Sequence, residues 1–334
     1  MTEPGPVLVA GPDRSGTSLM YAFLSSHPNI SMVRRTNMWR YFYGRYGDLS
    51  QQDNFERCLA AMLRYKRLRP LKPDRDRIRR EFWPGEPTYG RLFALFHEHQ
   101  AERMGKPRWG DKSLHTERHV DQILVDFPNA RFIHMVRDPR DRYASAYKRY
   151  QTNRGKIGVA TGKWLYSARL ATRNLRRYPD RYMAVRYETL VSQPEATLRE
   201  VSAFIGELYE PAMLTMEGAP DHRDKGGNSS FGRFEPGAIS TRSIGRFRQV
   251  LSKSDIAFMQ RHAGQVMLAL GYSLDPIHFS FTEWLHFTVV DWPINLARMA
   301  AWTALEAAQD RKGRSLPSYR IVSEAEVTGA RAGA

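Results

Sequence analysis

At 334 residues the chain can form one large domain with an appendage, or two modest domains, and 42% apolar residues support a proper core rather than wholesale disorder. A formal charge of +16 predicts anionic partners, among which nucleic acid, a membrane surface, an anionic nucleotide and an acidic acceptor are the options. The single cysteine, Cys58, excludes an intramolecular disulfide; with no basic leader and no apolar run of about 18 residues, a soluble cytoplasmic protein is expected.

In chain order, Val7 to Ala10 is short and apolar enough for one buried strand, and Thr17 to Leu24 reads as a helix burying Leu19, Met20, Phe23 and Leu24. Between them, Gly11 to Ser18 (GPDRSGTS) has the length and glycine placement of a phosphate-binding loop on a helix N-terminus. A triphosphate loop carries lysine before its Ser or Thr; here Thr17 holds that position and Arg14 is the strong cation, which suits a shorter anion. The segment Arg14, Ser15, Gly16, Thr17, Ser18 resembles the 5′-phosphosulfate loop of the sulfotransferases that use 3′-phosphoadenosine 5′-phosphosulfate (PAPS), a bacterial-type chain related to the tyrosylprotein and cytosolic enzymes.

A second strand is predicted from Ile30 to Val33. Tyrosylprotein-type members carry a basic catalyst, a glutamate, shortly after this strand; Arg34, Arg35 and Thr36 stand there instead. Residues 37–108 show no strand pattern, and Phe55, Leu59, Met62 and Leu63 recur at helical spacing. The resemblance makes this stretch a helical insertion on the acceptor side. Residues 64–80 hold nine Lys or Arg against two Asp, read as a solvated helical face or as a wall for an anionic acceptor.

The stretch Trp109 to His115 (WGDKSLH) precedes a helix with Val120, Ile123, Leu124 and Phe127 on its apolar face and Ser113 or Thr116 as N-cap. Lys112 matches the family lysine that contacts the transferred group, and His115 is the candidate base, with Asp111 as the next choice. His115 and His119 lie four apart on the expected helix, yet two histidines without a third ligand do not make a metal site, and no metal is expected.

Ala130 to Val136 is the clearest buried strand, followed by a helix from Pro139 or Asp141 through Tyr150. A cation at the strand's end and a hydroxyl one to two turns into the helix can meet on one phosphate. Arg137 and Ser145 have the spacing of the family's 3′-phosphate clamp, for which an ATP-binding protein has no use. Further on, Trp164 to Tyr178 reads as a helix with a basic face of Arg169, Arg173, Arg176 and Arg177, and Tyr182 to Arg186 as a strand. Tyr187 opens a segment similar to one whose tyrosine lies near the adenine, although plain core packing fits it equally. A helix then runs from about Pro194 to Ile205.

Residues 217–238 read as loop, and Arg242, Ser243 and Gly245 resemble the residues that close over the 3′-phosphate. Ser252 and Asp255 form a capping box for a helix ending near Leu270. Beyond it, Ile294, Ala297, Ala301, Leu305 and Ala308 make one helical stripe, read as packing on the core or as a partner or membrane-surface face, and the last twenty residues as frayed.

The expected fold is α/β: a three-layer, P-loop-like arrangement around a central, mainly parallel sheet, with residues 1–275 as the sulfotransferase domain and 276–334 as a C-terminal helical extension. The resemblance implies sulfuryl transfer from PAPS, leaving 3′,5′-ADP, to a hydroxyl or amine of an acceptor that is anionic or a glycan among the options; nucleic acid is not an expected partner. The rival readings are a P-loop kinase or NTPase, which lacks its lysine, and a basic nucleic-acid-binding protein, which leaves both phosphate sites unexplained.

Overall fold

The computed structural model describes residues 4–146, 156–225, 235–312 and 321. Its centre is a five-stranded, wholly parallel sheet in the order β2-β3-β1-β4-β5, formed by Val7–Ala10 (β1), Ile30–Arg34 (β2), Arg108–Lys112 (β3), Arg131–Val136 (β4) and Tyr182–Arg186 (β5). The expected three-layer α/β fold is present. A parallel sheet must be covered on both faces, and the side chains of β1 alternate accordingly. Val7 and Val9 join Met20, Phe23, Ile133, Met135, Leu198 and Val201 under the helices Thr17–Ser25 (α1) and Pro194–Ile205. Leu8 and Phe132 point the other way, into a core shared with the insertion helices Met38–Tyr41 (α2), Gln52–Leu63 (α3), Arg75–Phe82 (α4) and Tyr89–Arg103 (α5).

The strand β3 has no counterpart in the apolar pattern, because RWGDK buries Arg108, Asp111 and Lys112 in the middle of the sheet. Tertiary partners make this tolerable. Arg108 donates to the Gly5 and Ile205 carbonyls at 2.6 and 2.7 Å and pairs with Glu207 at 3.0 Å. A buried charge survives where it is paired and hydrogen-bonded.

After β3 come Val120–Asp126 (α6), Pro139–Ala144 (α7) and the long helix Lys156–Arg177 (α8). The helix expected through Tyr150 is seen to Ala144, and 147–150 lie outside the described residues. Neither Ser113 nor Thr116 caps α6. Its N-cap is His119, while Ser113 and Thr116 are turned into local hydrogen bonds. Tyr187–Ser192 (α9) and Pro194–Ile205 (α10) follow β5, then the single turn Pro220–Arg223 (α11) inside the stretch read as loop. Beyond these lie Phe247–Val250 (α12), Lys253–Ala269 (α13), Phe281–His286 (α14) and Trp292–Lys312 (α15).

The last helix lies along α8, but not on the expected stripe: Ala297, Ala301, Leu305 and Ala308 are exposed. The face turned inward carries Asn295, Met299, Trp302 and Glu306. Asn295 Oδ1 accepts from the Gly158 amide at 3.1 Å, and Glu306 pairs with Arg118 at 2.5 Å with both side chains 9% exposed. Ile321, within the tail expected to fray, forms an antiparallel bridge with Tyr65; the other residues beyond Lys312 lie outside the described ones.

Candidate active site

The loop after β1 is shaped by three consecutive needs for unusual backbone. Gly11 sits at φ 118°, where a Cβ would come within 2.6 Å of the Met135 carbonyl. Arg14 takes φ 67°, and Gly16 φ 92°, with any Cβ at Gly16 falling 2.5 Å from the Tyr187 ring. Such conformations are cheap for glycine and costly for L side chains. The result is a loop wound against the start of α1, whose first amides have no partners within the helix and present the positive end of its dipole. Beneath the loop, the Gly11 amide donates to Glu117 Oε2 at 3.3 Å. Glu117 is buried and also accepts from Ser167 Oγ at 2.9 Å; Ser167 contacts His134, which in turn meets Tyr182 Oη at 2.5 Å. This polar chain ties the loop to β4, β5 and α8.

The second candidate anion site is built at the end of β4 and touches the loop. Arg14 Nε donates to Ser145 Oγ at 3.2 Å, and Arg137 Nη1 donates to the Arg14 carbonyl at 3.2 Å. Arg137 Nη2 reaches the Ser243 carbonyl at 3.1 Å, while its guanidinium lies 4.2 Å from the centre of the Tyr187 ring. Tyr187 Oη and Ser243 Oγ are 2.9 Å apart. The turn carrying Ser243 is gripped by Asp141, which accepts from the Gly245 and Phe247 amides at 2.6 and 2.9 Å. Sequence-predicted residues from four separate segments therefore converge.

Arg242 does not share this convergence. It is exposed and outside the cleft lining, whereas Arg246, one helical turn later, lines the cleft and donates to the Arg242 carbonyl at 3.1 Å. Burial and the nearby Arg137 push the Arg246 pKa down, as expected of two neighbouring cations.

Past the loop, the lining continues with Arg34 and Arg35 at the end of β2 and with Asp221, His222, Arg223 and Lys225 on and after α11. Seven cations (Arg14, Arg34, Arg35, Arg137, Arg223, Lys225 and Arg246) face one carboxylate, Asp221, in this lining. Part of the surplus charge is thus concentrated on one cleft. The basic run 64–80 contributes nothing to it. Arg75, Arg77 and Arg79 pair on the α4 surface with Glu56, Glu81, Glu102 and Asp76, which is the solvated-face reading of that run.

Lys112 ends β3 with its side chain 5% exposed. Burial first, and then Arg35 and Arg34, push its amine down to about 8. Asp111 Oδ2 accepts from Thr36 Oγ1 and Ser113 Oγ at 2.6 and 2.8 Å, Oδ1 is buried without a partner among the described residues, and burial pushes the acid up to about 6. It braces the β2 and β3 exits rather than facing the cleft. His115 is in the left-handed region at φ 69° and precedes a 3-10 turn, so it shares no helical face with His119, and neither is part of the cleft lining. Among the described residues no group of three or more His, Cys, Asp or Glu could hold a metal ion.

A parallel α/β sheet with a phosphate loop after its first strand and a second anion clamp at the same edge defines a P-loop-like nucleotide-site protein. The description of the sulfotransferase family matches residues 6–211, and the chain belongs to that family. It is 26% identical over 219 residues to a protein-tyrosine sulfotransferase of Drosophila melanogaster, covering 63% of this chain and 40% of that protein. Protein-tyrosine sulfotransferase A of Caenorhabditis elegans is 23% identical over 217 residues, covering 63% and 52%. The chain therefore spans about half or less of the length of these curated relatives. In fold it is similar to the sulfotransferase domain of the Synechococcus PCC 7002 olefin synthase, with TM-score 0.54, 20% identity, and 82% of this chain and 98% of that one covered. The sulfotransferase domain of the curacin biosynthetic pathway gives TM-score 0.51, 20% identity, and 82% and 100% coverage.

Proposed function

We propose that the chain transfers a sulfuryl group from PAPS to a hydroxyl or amine of an acceptor. The observation that carries this reading is the contact between the two anion sites, Arg14 with Ser145 and Arg137 with the Arg14 carbonyl. One ligand with anionic groups at both ends satisfies both, and a nucleoside 5′-triphosphate does not. The residues fit such a ligand in a second respect: Ser15 Oγ and Arg137 Nε are buried without hydrogen-bond partners among the described residues. Buried polar atoms without partners are costly and call for one.

Bound PAPS supplies the sulfuryl group on its 5′-phosphate. Arg14 and the amides of Ser15 to Ser18 hold the 5′ end, and Arg137, Ser145 and Arg246 hold the 3′-phosphate. Ser243 and Gly245 cover it, and Tyr187 stacks beside Arg137. Lys112 offsets the charge that grows on the sulfuryl oxygens. Fixed cations and amides placed where charge develops lower a barrier without reorganising at the moment of reaction. Residues 1–275 form the catalytic unit in this reading and 276–334 an extension. No described helix is long and apolar enough to cross a membrane.

The test is calorimetric binding of 3′,5′-ADP beside 5′-AMP. A charge-assisted contact is worth about 1.5–3 kcal/mol, so 3′,5′-ADP should bind roughly ten- to a hundredfold tighter, and Arg137→Ala should erase the difference. Equal affinities in the unmodified protein would overturn the reading.

A further inference from the structure

We propose that His222 is the general base that takes the proton from the acceptor. The inference rests on the sulfuryl-transfer reading above and concerns a residue in the stretch whose composition reads as loop. Of the side chains lining the cleft, most are arginines, lysines and hydroxyls that cannot accept a proton near neutral pH. Two that can are Asp221 and His222. Asp221 is committed to Arg34, whose Nη2 lies 2.5 Å from Oδ2. Asp111 is sealed behind Thr36 and Ser113. His222 remains, half-buried in the wall and with no side-chain hydrogen bond among the described residues.

Its placement follows from the fold. The Arg34–Asp221 pair bridges the end of β2 to α11, and Arg34 also lies 5.5 Å from the centre of the Tyr21 ring on α1. Met216 and Ala219, which precede α11 and are buried against α1, anchor the turn, and the bridge adds to this, so that the next residue, His222, faces the cleft within reach of the Lys112 charge. The charged groups around the ring are Arg34 from β2, Lys112 from β3, and Asp221, Arg223, Asp224 and Lys225 from its own segment. Burial, then Arg34, Lys112 and Lys225, push the imidazole down to about 4, so it is neutral and able to accept a proton at pH 7. Anionic donor bound between the same cations offsets their charge and raises the ring's proton affinity when the proton must be taken.

In the step, the acceptor oxygen or nitrogen forms a bond to sulfur while the sulfur–oxygen bond to the 5′-phosphate breaks. The electron pair of that bond stays on the departing 3′,5′-ADP, and the acceptor's proton passes to the imidazole and then to solvent. Nothing is oxidised or reduced.

Two readouts test the assignment. Carbon-labelled histidine is titrated by NMR with and without 3′,5′-ADP: the His222 ring should titrate well below the other accessible histidines in the free protein and shift upward by about a unit or more in the complex. Turnover of radiolabelled PAPS is then followed with phenol, whose hydroxyl stays protonated at neutral pH, and with water alone as acceptor. His222→Asn and His222→Gln should each lose roughly a hundredfold or more in kcat, as removal of a general base does, and lose the acidic limb of the kcat profile, with 3′,5′-ADP affinity within about threefold. Added imidazole should restore part of the turnover of His222→Ala. Unchanged kcat and acidic limb in both variants, or a ring that titrates the same with and without 3′,5′-ADP, would overturn the assignment while leaving the transfer reading intact. Failure of the wild type to bind 3′,5′-ADP would instead overturn that reading.

Discussion

The two ends of the cleft are held in different ways. At the nucleotide end, Arg14, Arg137, Ser145, Tyr187 and Ser243 are locked to one another, and their supports, Glu117 and Asp141, are buried. Asp141 alone fixes two amides of the covering turn. At the proposed acceptor end Met216 and Ala219 are buried against α1, but the cleft-facing side chains are tied by the pair Arg34 to Asp221, with side chains 31% and 68% exposed. Exposed ion pairs contribute about 0–1 kcal/mol, so these side chains are held less firmly than those of the buried network. The difference fits the chemistry: recognition of a fixed anionic ligand gains from groups that need no rearrangement, whereas an acceptor wall can shift to admit its substrate.

The sharpest way to break the comparison is at Gly16. A methyl there meets the Tyr187 ring and must adopt φ 92°, so Gly16→Ala combines backbone strain with displacement of the ring that flanks Arg137. Strain and overpacking together cost about 2–4 kcal/mol. We expect 3′,5′-ADP affinity to fall roughly a hundredfold by calorimetry. A normal affinity would show that the nucleotide end is as adjustable as the acceptor end, and the contrast would collapse.

A smaller effect comes from Lys112, buried at the end of β3 and near enough to His222 for its charge to act on the ring. Its amine is pushed down to about 8, so rising pH removes the cation that would face the sulfuryl oxygens. Turnover should fall several-fold as pH passes through 8, and Lys112→Arg should move that limb upward, since guanidinium stays charged. Stability should change the opposite way. The folded-state pKa lies below the unfolded value of 10.5, so burial of the charged amine costs stability below pH 8 and the cost fades as pH rises between the two values. Lys112→Met should therefore exceed the wild type in Tm at pH 7, with the gap closing towards pH 10. A gap independent of pH would show that Lys112 is not buried as a charge.

Legibility in the sequence followed the same division. The strands β1 and β4 and the helix α1 bury apolar residues at regular spacing, and the glycines and arginines between them could be read directly. The β3 strand could not, because Arg108 and Asp111 are stabilised by Gly5, Ile205, Glu207, Thr36 and Ser113, partners that come together only in the fold, and Lys112 is buried beside them at a cost. The inner face of α15 was missed for a related reason: Asn295 and Glu306 are buried against Gly158 and Arg118, while the alanines that pattern alone would bury face outward. Within the covering turn, spacing does not distinguish Arg242 from Arg246; the conformation of Ser243 to Gly245 does. His222 lay hidden in a Gly- and Pro-rich stretch, and its signal was the arginine pair at the end of β2, one of which recruits Asp221.

The smallest expected effect separates the two histidines. His115 is the base that the sequence makes the first candidate, yet it occupies a left-handed turn at φ 69° and is not in the lining of the cleft. Asparagine is among the residues that accept this conformation most readily, so His115→Asn removes the imidazole without asking the backbone to move. We expect Tm within about a degree of the wild type and kcat within about twofold, with the acidic limb of the profile in place. His222→Asn should differ on both kinetic measures. A loss of the acidic limb in His115→Asn, with that limb retained in His222→Asn, would return the base to the β3 exit. It would also make the acceptor wall a passive boundary, because the proton would then leave from the more rigid side of the cleft.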